Sequence, residues 1–233
     1  MNLKQIILKK LLLISFLLIL TSCDNSENNM IINVNVENFK KGNVYLQKIS
    51  DSTLVNIDSI FVKKNEPIIF KTKIDSPELF YLNLDVSNFD NRIEFFGEKG
   101  EININTSLEK FNSNFEIIGS SSDSIYREYL NVIKKFNNQK LDLIQLSFNL
   151  AKSEMKDSLA LVQNQIKSLD KRQYLYSLNY AVSNGNSHIA PLIAITQFSE
   201  SGKIVLDTIK SSMSEQVLNS KYGKIFANIQ KSK

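Results

Sequence analysis

The chain of 233 residues has no tryptophan, one cysteine, one histidine, three prolines and seven glycines. A lone Cys23 makes no intramolecular disulfide and no Cys-x-x-Cys redox pair. With only His188 available, neither a zinc site nor a serine-type triad is expected, and no metal or cofactor is called for. After the first twenty residues no apolar run approaches the roughly 20 residues that a spanning helix needs. The formal charge of +4 also misleads, because Lys4, Lys9 and Lys10 sit in the first ten residues without an acid. Without residues 1–22 the charge is +1 (4 − 3) over 211 residues. That leaves no strong field to attract nucleic acid.

What is present begins with those lysines. They precede an apolar run, Leu11 to Leu20, broken only by Ser15. A basic start, about ten apolar residues and a small-residue cleavage site form an export signal. Leu20-Thr21-Ser22-Cys23 resembles the lipobox of bacterial lipoproteins, in which the cysteine is lipidated and becomes the mature N-terminus. An ordinary secretory signal and a short anchor helix are the alternatives. On the lipobox reading, residues 1–22 are a lipoprotein signal peptide and 23–29 a lipidated tether. Cys23 then carries a diacylglyceryl thioether and an amide-linked chain such as palmitate. Two or more chains anchor stably where one binds only marginally. The expected location is the cell envelope, facing the periplasm or the cell surface, with the outer membrane preferred to the inner.

From residue 30 to 120 the pattern has period two, which predicts strands with one buried face. Ile32, Val34 and Val36 alternate with Asn33, Asn35 and Glu37. Val44 to Ile49 follows the turn at Lys40-Lys41-Gly42-Asn43. Val55, Ile57 and Phe61 are the expected inner residues of a third strand, with Ile60 facing out. Ile68 to Ile74, Phe80 to Leu84, Arg92 to Phe96, Glu101 to Thr106 and Phe115 to Ile118 complete about eight strands. Turn signals every eight to twelve residues argue for an antiparallel sandwich or barrel.

At Gly119 the period changes, and Ser120 to Asp123 supply helix-start chemistry. Apolar residues then step by three and four from Ile125 through Tyr129, Phe136 and Leu143 to Leu150, and again from Met155 through Val162 and Leu169 to Tyr180. Two equal stripes with a break near Lys152 suggest an antiparallel, coiled-coil-like hairpin over 121–183. That register puts Phe136 level with Leu169, and the polar intruders Gln139 and Gln173 at partly exposed levels. Further short helices are expected over 187–231. The fold class is therefore α+β: a β domain at 30–120 followed by an all-helical region at 121–233.

The landmarks Val44-Tyr45-Leu46, Ile57-Asp58-Ser59, Phe95-Phe96-Gly97-Glu98-Lys99-Gly100, Ile118-Gly119-Ser120 and Ser220-Lys221-Tyr222-Gly223 occur in a telling order. Over roughly residues 30 to 230 the chain resembles the domain of unknown function found at the N-terminus of Gram-negative lipoproteins, ahead of a thioredoxin-like domain of the thiol–disulfide interchange type. Lys64-Asn65-Glu66-Pro67 departs from that family's Asp-Gly-x-Phe turn. The chain stops at Lys233, where such proteins begin their thioredoxin-like domain, so the resemblance implies a stand-alone copy without the catalytic half.

Few residues invite a catalytic role. Glu98 and Glu101 flank a turn and are expected to be solvated. Tyr174, Tyr176 and Tyr180 form a potential stacking face, with core packing favoured. His188 fits a helix start. Asp followed by Ser or Thr recurs, and it is similar to an O-glycosylation acceptor of some Gram-negative bacteria; the acceptors are Ser52, Ser59, Ser124, Ser158 and Thr208. Asp and Ser also favour turns and helix starts for their own reasons. The expectation is a non-catalytic lipoprotein, not an enzyme, held at the membrane by its lipid and binding a protein partner or ligand. The alternatives are an accessory that docks a separate thioredoxin-like oxidoreductase, and an enzyme whose residues are not recognisable. The sequence does not fix the oligomeric state.

Overall fold

The computed structural model describes residues 28–50, 52–64, 66–85 and 92–232. The expected signal peptide, Cys23 and most of the expected tether lie outside them. The eight strands are β1 (Met30–Glu37), β2 (Lys41–Ser50), β3 (Thr53–Lys63), β4 (Ile68–Thr72), β5 (Glu78–Leu84), β6 (Arg92–Gly97), β7 (Gly100–Ser107) and β8 (Phe115–Ile118). They form two four-stranded sheets, ordered β4-β1-β7-β8 and β3-β2-β5-β6. The arrangement is a sandwich, not a closed barrel. Ile32, Val34, Phe70, Ile102 and Ile104 of the first sheet share one buried core with Val44, Leu46, Phe80, Leu82 and Phe95 of the second.

Two details correct the expected antiparallel domain. First, β1 and β7 pair in parallel, Ile32 with Ile102 and Val34 with Ile104. Parallel neighbours need a long crossover, and here β2 to β6 supply it. The in-register pairing sets asparagines side by side on the outer face. Asn33 Nδ2 donates to Asn103 Oδ1 at 3.0 Å and to Glu101 Oε1 at 2.6 Å. Second, the β2–β3 register shifts between Leu46, opposite Asp58, and Gln47, opposite Asn56. Ile57 is the extra residue of a bulge, and a one-residue insertion reverses the side-chain phase beyond it. Ile60 therefore packs on the core and Val62 is buried, while Phe61 stands exposed. The alternation read along the sequence places Phe61 inside and Ile60 outside.

Gly119 turns the chain out of β8 with φ +98, and a Cβ there would lie 2.1 Å from Glu101 O. Any other residue would both strain the backbone and collide with β7. Ser120 then caps α1 (Ser121–Lys152): its Oγ accepts from Asp123 N at 2.9 Å and donates to Phe96 O at 2.7 Å. The Asp123 carboxylate accepts from Phe96 N at 2.9 Å and from Arg127 Nε at 3.2 Å. The first turn of the helix is thus tied to β6.

After Ser153 to Met155 come α2 (Lys156–Ser183), α3 (Ile189–Phe198), α4 (Lys203–Ser212), α5 (Glu215–Leu218) and α6 (Lys221–Lys231). Leu218 ends the one-turn α5. Ser220 separates α5 from α6 by capping α6, accepting from Gly223 N at 3.2 Å. The pairs Tyr180–Ile125, Tyr129–Ser177 and Lys140–Asp170 join α1 to α2. Tyr129 stacks on Tyr176, with the rings 6.0 Å apart and 4° from parallel. A second core gathers Tyr126, Tyr129, Ile193, Phe198, Leu206, Ile209 and Phe226, and it draws Leu79 and Phe96 from the outer face of the second sheet. Burying each such side chain contributes about 1.5–3 kcal/mol. The sandwich and the helices thereby share an apolar seam. Among the described residues no helix is long and apolar enough to cross a membrane.

Candidate functional site

Where the sandwich meets the helices the chain leaves a cleft of about 1050 Å³. Its polar end begins at Glu78, the first residue of β5, whose carboxyl is only 8% exposed. Lys48 Nζ from β2 meets Glu78 Oε1 at 3.2 Å, and Lys221 Nζ from α6 bonds Glu78 Oε2. Lys221 Nζ also donates to Ile49 O at 3.0 Å. The backbone of α6 is pinned to the same place: Lys221 N donates to Ser76 Oγ at 3.1 Å, and Tyr222 Oη accepts from Leu79 N at 3.0 Å. One buried carboxylate held by two ammonium groups leaves this cluster a net positive charge. Lys73 and Lys224 add two more ammonium groups on the lining, against Asp75 and Glu94.

Tyrosines form the next section of wall. Tyr126 Oη donates to Glu94 Oε1 at 2.8 Å, and Tyr81 also hydrogen-bonds Glu94. Burial, reinforced by Glu94, pushes the Tyr81 hydroxyl up to about 12. Burial drives Tyr126 and Tyr222 further above the ordinary phenol range. These hydroxyls stay protonated at neutral pH and do not ionise to act as bases. Leu130, Ile133, Leu192, Ile193 and Ile225 add an aliphatic stretch, beside polar Thr196, Gln197 and Asn219. Among the described residues the lining has neither histidine nor cysteine, and no three of His, Cys, Asp and Glu converge to hold a metal ion.

The residues singled out from sequence lie elsewhere. Glu98 is half-buried, and its carboxylate serves as an external cap for α1. It accepts from Ser121 N at 2.6 Å, Ser122 N at 3.2 Å and Ser122 Oγ at 2.5 Å. A negative group at unpaired helix N–H donors is stabilising. Glu101 accepts from Asn33 on the opposite side of the turn, so the two carboxylates do not converge. Half-buried His188 occupies the N-cap position of α3 without a side-chain cap bond. It lines a smaller cavity of about 570 Å³ with Glu98. Burial lowers its pKa and the Glu98 charge opposes that shift. Tyr176 and Tyr180 pack around Tyr129, while Tyr174 meets Phe198 edge-on at 4.9 Å; the three form no common face.

Ser52, Ser59, Ser124 and Thr208 are exposed and Ser158 is half-buried. The Ser124 and Thr208 hydroxyls bond back to Ser120 O and Ile204 O within their helices. Sequence reasoning missed Lys48, Glu78, Tyr81, Glu94 and Lys221. The one local signal was that Glu78 falls on the buried phase of β5, where a carboxylate needs partners.

Residues 30–126 match the family model described as Domain of unknown function (DUF4369). The DUF4369 match begins at the first residue of β1 and ends six residues into α1. It therefore takes in the sandwich and the capped start of the first helix. The resemblance drawn from sequence motifs runs further, to about residue 230; the DUF4369 match covers its first half. Four side chains at the head of the cleft, those of Lys48, Glu78, Tyr81 and Glu94, lie inside the matched segment, whereas Lys221 and Tyr222 lie outside it. No curated protein and no solved structure matches the chain.

Proposed function

We propose that this protein is a lipoprotein of the cell envelope, tethered through Cys23, that works as a non-catalytic binding module with the cleft as its ligand site. In this reading α1 and α2 form an antiparallel hairpin that braces one side of the cleft. The observation that carries the proposal is the cleft's chemistry. Its cations and hydroxyls are held in place by Glu78 and Glu94, which suits recognition. Catalysis would call for a nucleophile beside a base, and the tyrosine hydroxyls are shifted away from that role.

Two experiments test it. Metabolic labelling with a fatty-acid analogue marks the wild type and not Cys23→Ser; equal labelling of both removes the anchor. Hydrogen exchange on the membrane-held protein, with and without an extract of its own envelope, reads the cleft. Slower exchange in β5 and α6 supports a ligand there, and unchanged exchange in both rejects it. The reading also implies no thiol–disulfide turnover, since exchange needs an attacking thiolate and the only cysteine is the anchor.

A second reading, a protein partner docked on the helices, rests on the exposure of Phe148 (71%), Leu161 (66%) and Leu141 (65%). A thioredoxin-like protein recovered with the wild type, and lost with Phe148→Glu, would favour the accessory role.

A further inference from the structure

The described chain starts beside the cleft. Asn29 is locked to residue 74 on both sides: its Nδ2 donates to Ile74 O at 2.9 Å, and its Oδ1 accepts from Ile74 N at 2.9 Å. Residues 73 and 75, which flank this clamp, both line the cleft. From Asn29 back to Cys23 is six residues, a reach of at most about 20 Å. On the anchor reading, therefore, the rim of the cleft is held within that distance of the lipidated cysteine and hence of the bilayer surface.

The cleft has the two-part character of a lipid site. Lys73 and Lys224 stand exposed, and among the described residues neither makes an ion pair. With the net charge left over at Lys48–Glu78–Lys221, they offer an acidic group more positive than negative partners. Leu130, Ile133 and Ile225 offer an apolar stem an apolar stretch of wall on the same cleft. We propose that the cleft holds an anionic amphiphile drawn from the membrane beside it, with its acidic head among Lys73, Lys221 and Lys224 and its hydrocarbon chain along Leu130, Ile133 and Ile225. This rests on the reading of the cleft as a ligand site and of Cys23 as the anchor. The acidic head can belong to a free fatty acid or to an anionic phospholipid.

The test is photo-crosslinking of the full chain in its own membranes. Three probes carry the same diazirine-bearing chain: a fatty acid, a phosphatidylglycerol and a fatty alcohol. Crosslinks are mapped by mass spectrometry. The fatty acid, the phosphatidylglycerol or both should label Leu130, Ile133 or Ile225 about tenfold more than the alcohol does. Whichever labels identifies the source of the head. The Lys73→Glu/Lys224→Glu double variant, altered only at exposed positions, should lose that excess while keeping the wild-type Tm. Equal labelling by the alcohol, or labels confined to Phe148 and Leu161, overturns the proposal. If envelope extract still slows exchange in β5 and α6 while no probe labels the cleft, the ligand site stands and only its lipid chemistry falls.

Discussion

The two ends of the α1–α2 pair share the same three-and-four apolar spacing and meet different surroundings. Near Ser121 and Ser183 the helices lie against the outer face of the β3-β2-β5-β6 sheet and against α3, and Tyr126, Tyr129, Ser177 and Ala181 are buried. Near Lys152 and Lys156, among the described residues, they have mainly each other. There Val162 and Leu169 are buried, but Leu146 and Met155, which continue the same stripes, are about half exposed. A three-and-four spacing of apolar residues specifies that a helix has a face to cover. It does not specify how much covering the rest of the fold supplies, and that decides the energetic weight of each residue.

Substitutions can break or sharpen this contrast. The largest effect is expected at Phe96, which is fully buried between Tyr126 and Tyr222. Phe96→Ala should cost about 3–5 kcal/mol, seen as a large fall in Tm; a small fall would mean that the seam between sandwich and helices does not hold the near end.

Next is an alkaline loss, also confined to the near end. Tyr81 is raised to about 12, and Tyr126, Tyr180 and Tyr222 are raised further. A raised folded-state value favours the neutral phenol in the native protein, so this stabilisation is complete below the unfolded value near 10 and drains away as pH rises towards 12 and beyond. Urea midpoints should fall steadily from pH 9 to 11.5. Tyr126→Phe should flatten that slope, and an unchanged slope would disprove its contribution.

A smaller effect is expected midway. Phe136 is half-buried and touches Tyr176 at a ring separation of 6.0 Å, so Phe136→Ala should cost about 1–2 kcal/mol, less than a fully buried aromatic. Lys134→Ala is the matched surface control. The smallest change belongs to the far end: Phe148→Ala should shift stability by no more than about 0.5 kcal/mol. A larger loss in solution would reveal that something covers that surface.

All eight strands fall where period-two patterning puts them, because each buries one face and the turns between them carry Gly, Pro, Asn or Asp. The same patterning fails at Phe61, since the bulge at Ile57 is a property of the β2–β3 register and has no local mark. The parallel partnership of β1 and β7 is equally invisible, although their alternating asparagines are the residues it aligns. In α1 the sequence shows Ile125 and Tyr129 on one stripe, but not that Tyr126 is buried on the adjoining side by the sheet. The cleft is the least legible feature. Lys221 and Glu78 are 143 residues apart, and nothing in a lysine's neighbours says that it will meet a carboxylate from another element. Nor does the turn at Glu98 reveal that the start of α1 will come to its carboxylate.

The parallel pairing of β1 with β7 also sets an order in time. Asn33 must wait for a partner 70 positions later in the chain, and β1 lies between β4 and β7 in its sheet. Pairings of such separation close slowly, because the loop must be drawn in before any contact rewards it. The strand next to the tether is therefore among the first made and the last to gain both neighbours. In a chain that emerged from its N-terminus, β1 could pair with β4 but would keep its other edge open until Gly100 to Ser107 had emerged. Until then Asn29 is held beside Ile74 from the β4 side alone.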